Sequence, residues 1–151
     1  MPYIASEMVG DMGDLTKNFD SQEFKCPCCG KLLLNGKLPV AIQVLRDNIN
    51  KPIHVHSGYR CPDHNKGLTN SSKKSQHMLG NAVDFHADGL TPLQLFRAAE
   101  KIRLLASGGL GLYDWGIHAD LRGTRARWGE VDGHMVSIED ALEHHEKMKS
   151  V

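Results

Sequence analysis

Apolar side chains recur at helical spacing in three segments of the chain. The segment LPVAIQVLRDNI, residues 38–49, places them three and four positions apart, which predicts a helix. A second helix is predicted over 92–106, because a threonine precedes it as a cap and a proline suits its first position. The last helix is predicted over 137–149, which begins with the Ser-x-x-Asp pattern of a capping box.

Short strands are predicted between these helices. Successive side chains of a strand point to opposite faces, so alternating apolar and polar residues indicate a strand buried on one side. Helices and strands follow one another without βαβ regularity, so the sequence predicts an α+β fold with a small, mainly antiparallel sheet flanked by helices. The predicted strands lie in PIHVHSGYR (52–60), AVDFHA (82–87), the two halves of LGLYDWGIHADLRG (110–123), and around Arg127 and Trp128.

Length and charge limit the class of protein. With 151 residues, the chain is predicted to form one domain over 1–151, in which residues 1–20 are loosely held. Its 18 basic and 18 acidic residues balance, and no run approaches the ~20 apolar residues of a membrane span. We therefore expect neither a nucleic-acid partner nor membrane insertion, and we expect a monomer. The N-terminus lacks the pattern of a secretory signal, which predicts synthesis in the cytoplasm.

Nine histidines are many for this length and favour metal or acid–base chemistry. His77 and Asp84 are seven positions apart, and Gly80 between them allows a bend that brings Asp84 back level with His77 on the next strand. His118 and Asp120 share a face of a neighbouring strand. Two histidines and a carboxylate, with a fourth position for water, are typical of catalytic zinc. Alternatively, His77 caps a turn, Asp84 pairs with a basic residue, and His118 is an exposed strand residue. Spacing alone leaves both interpretations open.

A longer motif contains these residues. Ser75-x-His77-x-x-Gly80-x-Ala82-x-Asp84 resembles the S-x-H-x-x-G-x-A-x-D motif of the M15 peptidases, which include zinc D-Ala-D-Ala carboxypeptidases and peptidoglycan endopeptidases. Their fold is shared with the hedgehog signalling domain. The elements SGYR (57–60), GLGLY (109–113), His118-x-Asp120 and Arg127-Trp128 resemble those of the small bacterial and phage branch and follow in the expected order, so the resemblance covers roughly 20–128.

The resemblance implies a peptidase that holds one catalytic zinc through His77, Asp84 and His118. Such an enzyme would hydrolyse a peptide bond in peptidoglycan stem peptides, as an endopeptidase or a D,D-carboxypeptidase, with water activated by the metal. Arg60 is expected to bind a substrate carboxylate, because a guanidinium can hold one bidentately. Ser75 is expected to hydrogen-bond the substrate or the region of Asp84. A surface ion pair for Arg60 and a turn cap for Ser75 are the alternatives.

At the position of the general base, this chain departs from the family pattern. The carboxypeptidase branch has an acidic residue three positions before the second zinc histidine, where this chain has Trp115. Asp120 is expected to replace it, because alternation aims this side chain to the same face as His118. Asp114, in the predicted turn, is the alternative base. Asp120 could also serve to orient a zinc histidine.

The four cysteines form a separate group. Cys26, Cys28 and Cys29 cluster as C-x-C-C, which differs from a standard C-x-x-C pair, and Cys61 follows Arg60. A second, structural zinc held by four thiolates, a disulfide from Cys61 to the cluster and free buried thiols all stay open. Either the zinc or the disulfide would position the N-terminal segment beside Arg60.

Two function classes follow from these patterns. The first is a zinc peptidase of the cell wall, either a phage or prophage lysin released by a holin or a host enzyme. The second is a zinc-bound binding module that has lost catalysis. Trp115, in place of an acidic residue, favours the binding module. The carboxylate of Asp120 favours the peptidase. His54 and His56 share a strand face and could bind a metal, but exposed strand residues are the simpler interpretation.

Overall fold

The computed structural model describes residues 3–5, 15–63 and 75–149. Two short 3₁₀ helices cover Ser21–Phe24 and Gln76–Leu79. The strands are β1 (Tyr3–Ala5), β2 (Leu33–Asn35), β3 (Ile53–Ser57), β4 (Ala82–Ala87), β5 (Gly109–Leu112), β6 (Ile117–Asp120), β7 (Ala126–Val131) and β8 (His134–Val136), and the helices are α1 (Lys37–Ile49), α2 (Pro92–Ala99), α3 (Arg103–Ala106) and α4 (Ile138–Lys149). None of the helices in the described ranges has the length and apolar character needed to cross a bilayer.

A six-stranded sheet forms the centre of the fold. Its strands lie in the order β3-β4-β6-β5-β7-β8, and all neighbours are antiparallel except β5 and β7. Strands β1 and β2 form a separate two-stranded sheet. The prediction of an α+β fold with a mainly antiparallel sheet is therefore confirmed.

The register of the sheet brings polar side chains together on one face. Asp84 pairs with His118 across β4 and β6, and Gly111 pairs with His118 from the other side. Trp128 on β7 is the next partner of Gly111. Because side chains at paired positions emerge on the same side of a sheet, these residues form one continuous polar and aromatic surface.

The opposite face of the sheet is the hydrophobic core. Helices α2 and α4 pack directly on the sheet, and α1 packs on α2. The strand residues between the polar ones are apolar and almost fully inaccessible, which fixes the register against a slip of one residue. They include Val83, Phe85, Leu110, Leu112, Ile117 and Ala119.

Two predicted elements differ from the structure. The helix predicted over 92–106 is interrupted, because Ile102 has an extended backbone between α2 and α3. The interruption lets Ile102 and Leu105 both reach the core, with 6% and 0% of their surface exposed. Strand β8 was not predicted, although Asp132 and Gly133 have the positive φ angles of a tight hairpin turn.

The chain termini also bear on the sequence predictions. The expectation that residues 1–20 are loosely held stays a prediction, and within this range Tyr3–Ala5 pair in register with Leu33–Asn35. Residues 1–2 and 6–14, and most of the loop predicted over 62–74, lie outside the described residues. The last helix is confirmed to within one residue, and Ser137 Oγ accepts a hydrogen bond from the Asp140 N–H as predicted.

Candidate metal centre

His77 is held at the site by a short, capped turn. Ser75 Oγ accepts a hydrogen bond from the His77 N–H at 3.2 Å. Gly80 closes the turn with φ +72°, and a Cβ at this position would lie 2.4 Å from the Leu33 carbonyl oxygen. Only glycine meets both demands. The bend at Gly80 predicted from the sequence is therefore present.

Three side chains predicted as metal ligands converge at this point. His77 Nε2 lies 3.2 Å from Asp84 Oδ2, and His118 Nδ1 lies 2.9 Å from Asp84 Oδ1. One ligand atom from each residue lies within 4.8 Å of the other two. All three residues are buried, with 3 to 6% of their surface exposed.

Hydrogen bonds orient both imidazole rings. His77 Nδ1 lies 2.7 Å from the Gly58 carbonyl oxygen, which can only accept, so Nδ1 carries the proton and Nε2 is the ligand atom. His118 Nε2 donates to Asp120 Oδ2 at 2.7 Å, which directs Nδ1 toward Asp84. Histidine ligands of metals are held in this way by an acceptor on the second nitrogen. Two oriented imidazoles and one carboxylate therefore fit zinc in chemistry and in placement.

The charges at the site are strongly coupled. Burial raises the pKa of Asp84, but His77 and His118 outweigh it and hold that pKa well below its usual range. Burial lowers the pKa of His118, but Asp120 and Asp84 outweigh it and raise the pKa to about 9. A metal that binds His118 Nδ1 therefore has to displace a proton at neutral pH.

Asp120 is the most enclosed group of the site, with 0% of its surface exposed. Its oxygens accept hydrogen bonds from His118, from the Gly109 N–H at 2.9 Å and from Arg122 Nη2 at 2.7 Å. Burial raises the pKa of Asp120, but His118 and Arg122 bring it well below its usual range. Of the two roles considered for Asp120, its contacts favour orienting His118.

Asp114, the alternative base, points away from the ligand set. Its Oδ2 accepts a hydrogen bond from the Asp132 N–H at 2.9 Å. Its Oδ1 lies 3.5 Å from His144 Nε2 and 3.6 Å from His145 Nε2, on α4. Helix α4 packs on the core side of the sheet, so these contacts do not favour Asp114 as the base, and that role stays a prediction.

Arg60 lies directly beside the ligand set. Its Nη2 donates to Asp84 Oδ2 at 2.9 Å, its Nε donates to Ser57 Oγ at 2.9 Å, and its backbone N–H donates to the His77 carbonyl oxygen at 3.2 Å. The ion pair considered for Arg60 therefore exists, but it is partly buried and joins a predicted metal ligand. The predicted contact of Arg60 with substrate stays a prediction, as does that of Ser75, whose observed contact is the turn cap.

Aromatic residues that the sequence analysis did not assign form one wall of the site. The Trp128 ring lies 5.0 Å from the His118 ring, and Trp128 Nε1 donates to Tyr113 Oη at 2.9 Å. The Arg122 guanidinium lies over Trp128, 4.9 Å from the ring centre. A Cβ at Gly111 would lie 2.6 Å from Trp128 Nε1, so glycine provides the space for this ring. In the sequence, the alternation His118-x-Asp120-x-Arg122 was the pattern from which the position of Arg122 beside Asp120 could have been predicted.

The cysteines form a second group of potential ligands. Cys26 Sγ lies 3.6 Å from Cys61 Sγ, which is too far for a disulfide bond. One sulfur each from Cys26, Cys29 and Cys61 lies within 4.8 Å of the others. Cys26 and Cys29 form a C-x-x-C pair, so the interpretation of this cluster as lacking one was wrong. Burial raises the pKa of Cys26, but backbone N–H groups, that of Cys61 first, lower it to about 7.

Comparisons with known proteins identify the family of the chain. The sequence profile of a family described as Peptidase M15 matches residues 3–120. Over 67 residues the chain is 40% identical to the peptidoglycan L,D-endopeptidase MepK of Escherichia coli (strain K12) and to that of Shigella flexneri. The match covers 42% of this chain and 35% of each relative, so the chain spans about a third of the length of these curated relatives.

Proposed function

Because the chain belongs to the Peptidase M15 family, we propose that it is a zinc-dependent peptidase that hydrolyses a peptide bond in peptidoglycan stem peptides. The observation that carries the proposal is the buried convergence of His77, Asp84 and His118, with an acceptor on the second nitrogen of each histidine. The name of the similar proteins, peptidoglycan L,D-endopeptidases, favours an endopeptidase over a D,D-carboxypeptidase.

The chain would hold zinc through His77 Nε2, His118 Nδ1 and a carboxylate oxygen of Asp84. When bound, zinc supplies a Lewis acid that polarises a carbonyl and makes water nucleophilic near neutral pH. The protein contributes a buried, preorganised set of donors, so little rearrangement is needed on binding.

Asp120 has the role of a positioning residue in this proposal. It accepts the Nε2 proton of His118 and so leaves Nδ1, on the other side of the ring, as the nitrogen that would bind zinc once its own proton is displaced. Arg122 and the Gly109 N–H keep Asp120 ionised, because both donate to its oxygens. An ionised partner makes His118 a more basic ligand than a backbone carbonyl would.

Arg60 is proposed to bind a carboxylate of the stem peptide. A guanidinium has five N–H donors, and its contacts with Ser57 and Asp84 use two of them. Arg60 therefore has donors beyond those that position it. Its location beside Asp84 would place a bound carboxylate close to the scissile bond.

A second function is favoured by one specific observation. Trp115 replaces the acidic residue expected before His118, and the oxygens of Asp120 are already engaged by His118, Gly109 and Arg122. A domain with this arrangement could bind zinc and a peptide without hydrolysing it. The two functions differ in whether the peptide bond is cut.

Digestion of purified muropeptides, followed by mass spectrometry, tests the proposal. The peptidase predicts new fragments whose masses identify the bond, and their loss in His77→Ala but not in His134→Ala, whose histidine is exposed on β8. Binding of muropeptides without fragments would support the inactive module instead. A lysin role, with release by a holin, further predicts that added protein lyses cells whose outer barrier has been permeabilised.

A structural zinc at the cysteines is also proposed. Cys26, Cys29 and Cys61 already lie within ligand distance of one another. Cys28 lies in the same turn and is the candidate for a fourth thiolate. A four-thiolate zinc would join the turn at 26–29 to Cys61, and so would fix the neighbouring Arg60.

A further inference from the structure

Three histidines gather on β3 and β4, beyond the ligand set described above. His54 and His86 are register partners on these antiparallel strands, and their rings stack with 4.9 Å between centres. His56 Nε2 lies 2.5 Å from His86 Nδ1. The backbone register therefore holds two imidazoles side by side, and a third imidazole orients one of them.

A carboxylate completes the group. Asp88 follows His86 by two positions, and its Oδ2 lies 2.9 Å from His54 Nε2. Its Oδ1 lies 3.8 Å from His86 Nε2. One ligand atom each from His54, His86 and Asp88 lies within 4.8 Å of the other two.

We propose that His54, His86 and Asp88 form a second metal site that takes a divalent transition metal such as Zn²⁺ or Ni²⁺. Two imidazoles and one carboxylate suit these ions, whereas Ca²⁺ and Mg²⁺ prefer oxygen ligands throughout. His56 occupies Nδ1 of His86, so Nε2 of that ring is the atom that faces Asp88. This is the arrangement by which an outer partner orients a histidine ligand.

The site differs from the buried ligand set in its access to water. The side chains of His54, His86 and Asp88 are 52%, 38% and 56% exposed. An ion held there keeps water in its remaining positions and exchanges faster than one held by His77, Asp84 and His118. The two sites can therefore be loaded and measured one after the other.

Ring contacts connect the proposed site with the wall of the metal centre. The His56 ring lies 4.9 Å from the Trp115 ring, and the Trp115 ring lies 5.1 Å from that of Tyr113. Tyr113 accepts the hydrogen bond of Trp128, which packs on His118. An ion at His54, His86 and Asp88 would thus place positive charge at the rim of the face that carries the metal centre.

An exposed ion pair between protonated His54 and Asp88 is the simpler interpretation of the same contact. Such an ion pair requires no metal and contributes little to the stability of the fold, because both groups are exposed to solvent. The two interpretations differ in one measurable property, the uptake of a further metal ion by protein whose other sites are already filled.

Calorimetric titration with Ni²⁺ tests the proposal. Zinc-loaded protein is dialysed, its zinc is counted, and Ni²⁺ is added while released zinc is monitored. Wild type is expected to take up one further ion without releasing zinc. His54→Gln and Asp88→Asn should each weaken this uptake by at least about tenfold, since even outer partners of a metal ligand cost 10–100-fold. His134→Gln, an exposed histidine on β8, should bind as wild type does.

Several results would overturn the proposal. Wild type that takes up no Ni²⁺ would exclude the site, and so would uptake and zinc release that are the same in wild type and in both variants. Equal affinity in wild type and in both variants would place the extra ion elsewhere. Unchanged zinc content and thermal melting of the variants would show that they are folded, and each variant alters only an exposed side chain.

Discussion

His118 Nε2 lies 2.7 Å from Asp120 Oδ2, and this contact determines which nitrogen of His118 faces Asp84. Asp120 is in turn held by the Gly109 N–H and by the Arg122 guanidinium. A chain of three residues on and beside β6 therefore sets the geometry of one predicted zinc ligand.

The substitution Asp120→Asn separates the two roles considered for this residue. The amide oxygen can still accept from His118, but its NH₂ group then points at Arg122, so the ring loses a well-held partner. We expect zinc affinity to fall about 10–100-fold, with activity largely restored by excess zinc. Zinc affinity and hydrolysis are measured together on the same preparation. Normal zinc affinity with a rate lower by ~10²–10⁴ would instead identify Asp120 as the general base.

Zinc affinity should increase with pH. In metal-free protein the pKa of His118 is raised to about 9, so below that pH a proton occupies the nitrogen that zinc needs. One displaced proton makes the apparent affinity rise about tenfold per pH unit between pH 6 and 8. Competition with a chelator of known pH dependence measures this slope. An affinity that stays constant over this range would show that His118 is already neutral in the metal-free protein.

The substitution Arg60→Lys tests the proposed contact with substrate. Lysine keeps the charge beside Asp84 but cannot hold a carboxylate bidentately. We expect the KM for a muropeptide to increase while zinc content stays at the wild-type level. An unchanged KM would show that Arg60 serves only as the partner of Asp84. A neutral Arg60→Gln variant indicates how much of the effect is due to charge.

The cysteine site predicts a second equivalent of zinc. Cys29→Ser should lose that equivalent and retain the zinc of the catalytic ligand set, because it removes one of three close thiols. Cys28→Ser distinguishes a four-thiolate site, which it would weaken, from a three-thiolate site, which it would leave intact. Four titratable thiols in denatured, chelated protein are expected. Two missing thiols would indicate a disulfide instead.

Local spacing predicted that His77 and Asp84 meet in space, and the family resemblance predicted that they act with His118 as metal ligands, a role that stays a prediction. His77 and Asp84 are seven positions apart, and the bend at Gly80 brings them together once the strand begins at Ala82. Strand alternation puts His118 on the face that meets Asp84. These predictions depend on short-range geometry, which is why they are confirmed as a spatial group.

Other features of the fold and of the site depend on long-range contacts, which a local sequence pattern does not show. The hydrogen bond from the Gly109 N–H to Asp120 depends on the pairing of β5 with β6. The direction of Asp114 depends on α4, which is distant in sequence. The parallel pairing of β5 and β7 has no local signal either. The Cys26–Cys29 pair and the Asp132–Gly133 turn, in contrast, were readable from local spacing.

The most direct test is removal and return of zinc in a muropeptide digestion. Chelated wild type should lose cleavage and regain it with one equivalent of zinc in the catalytic set, whereas His118→Ala should not regain it, because two remaining ligands retain zinc poorly. The zinc content of each sample is measured beside its rate. Undiminished cleavage by protein whose His77, Asp84 and His118 hold no zinc would contradict the account.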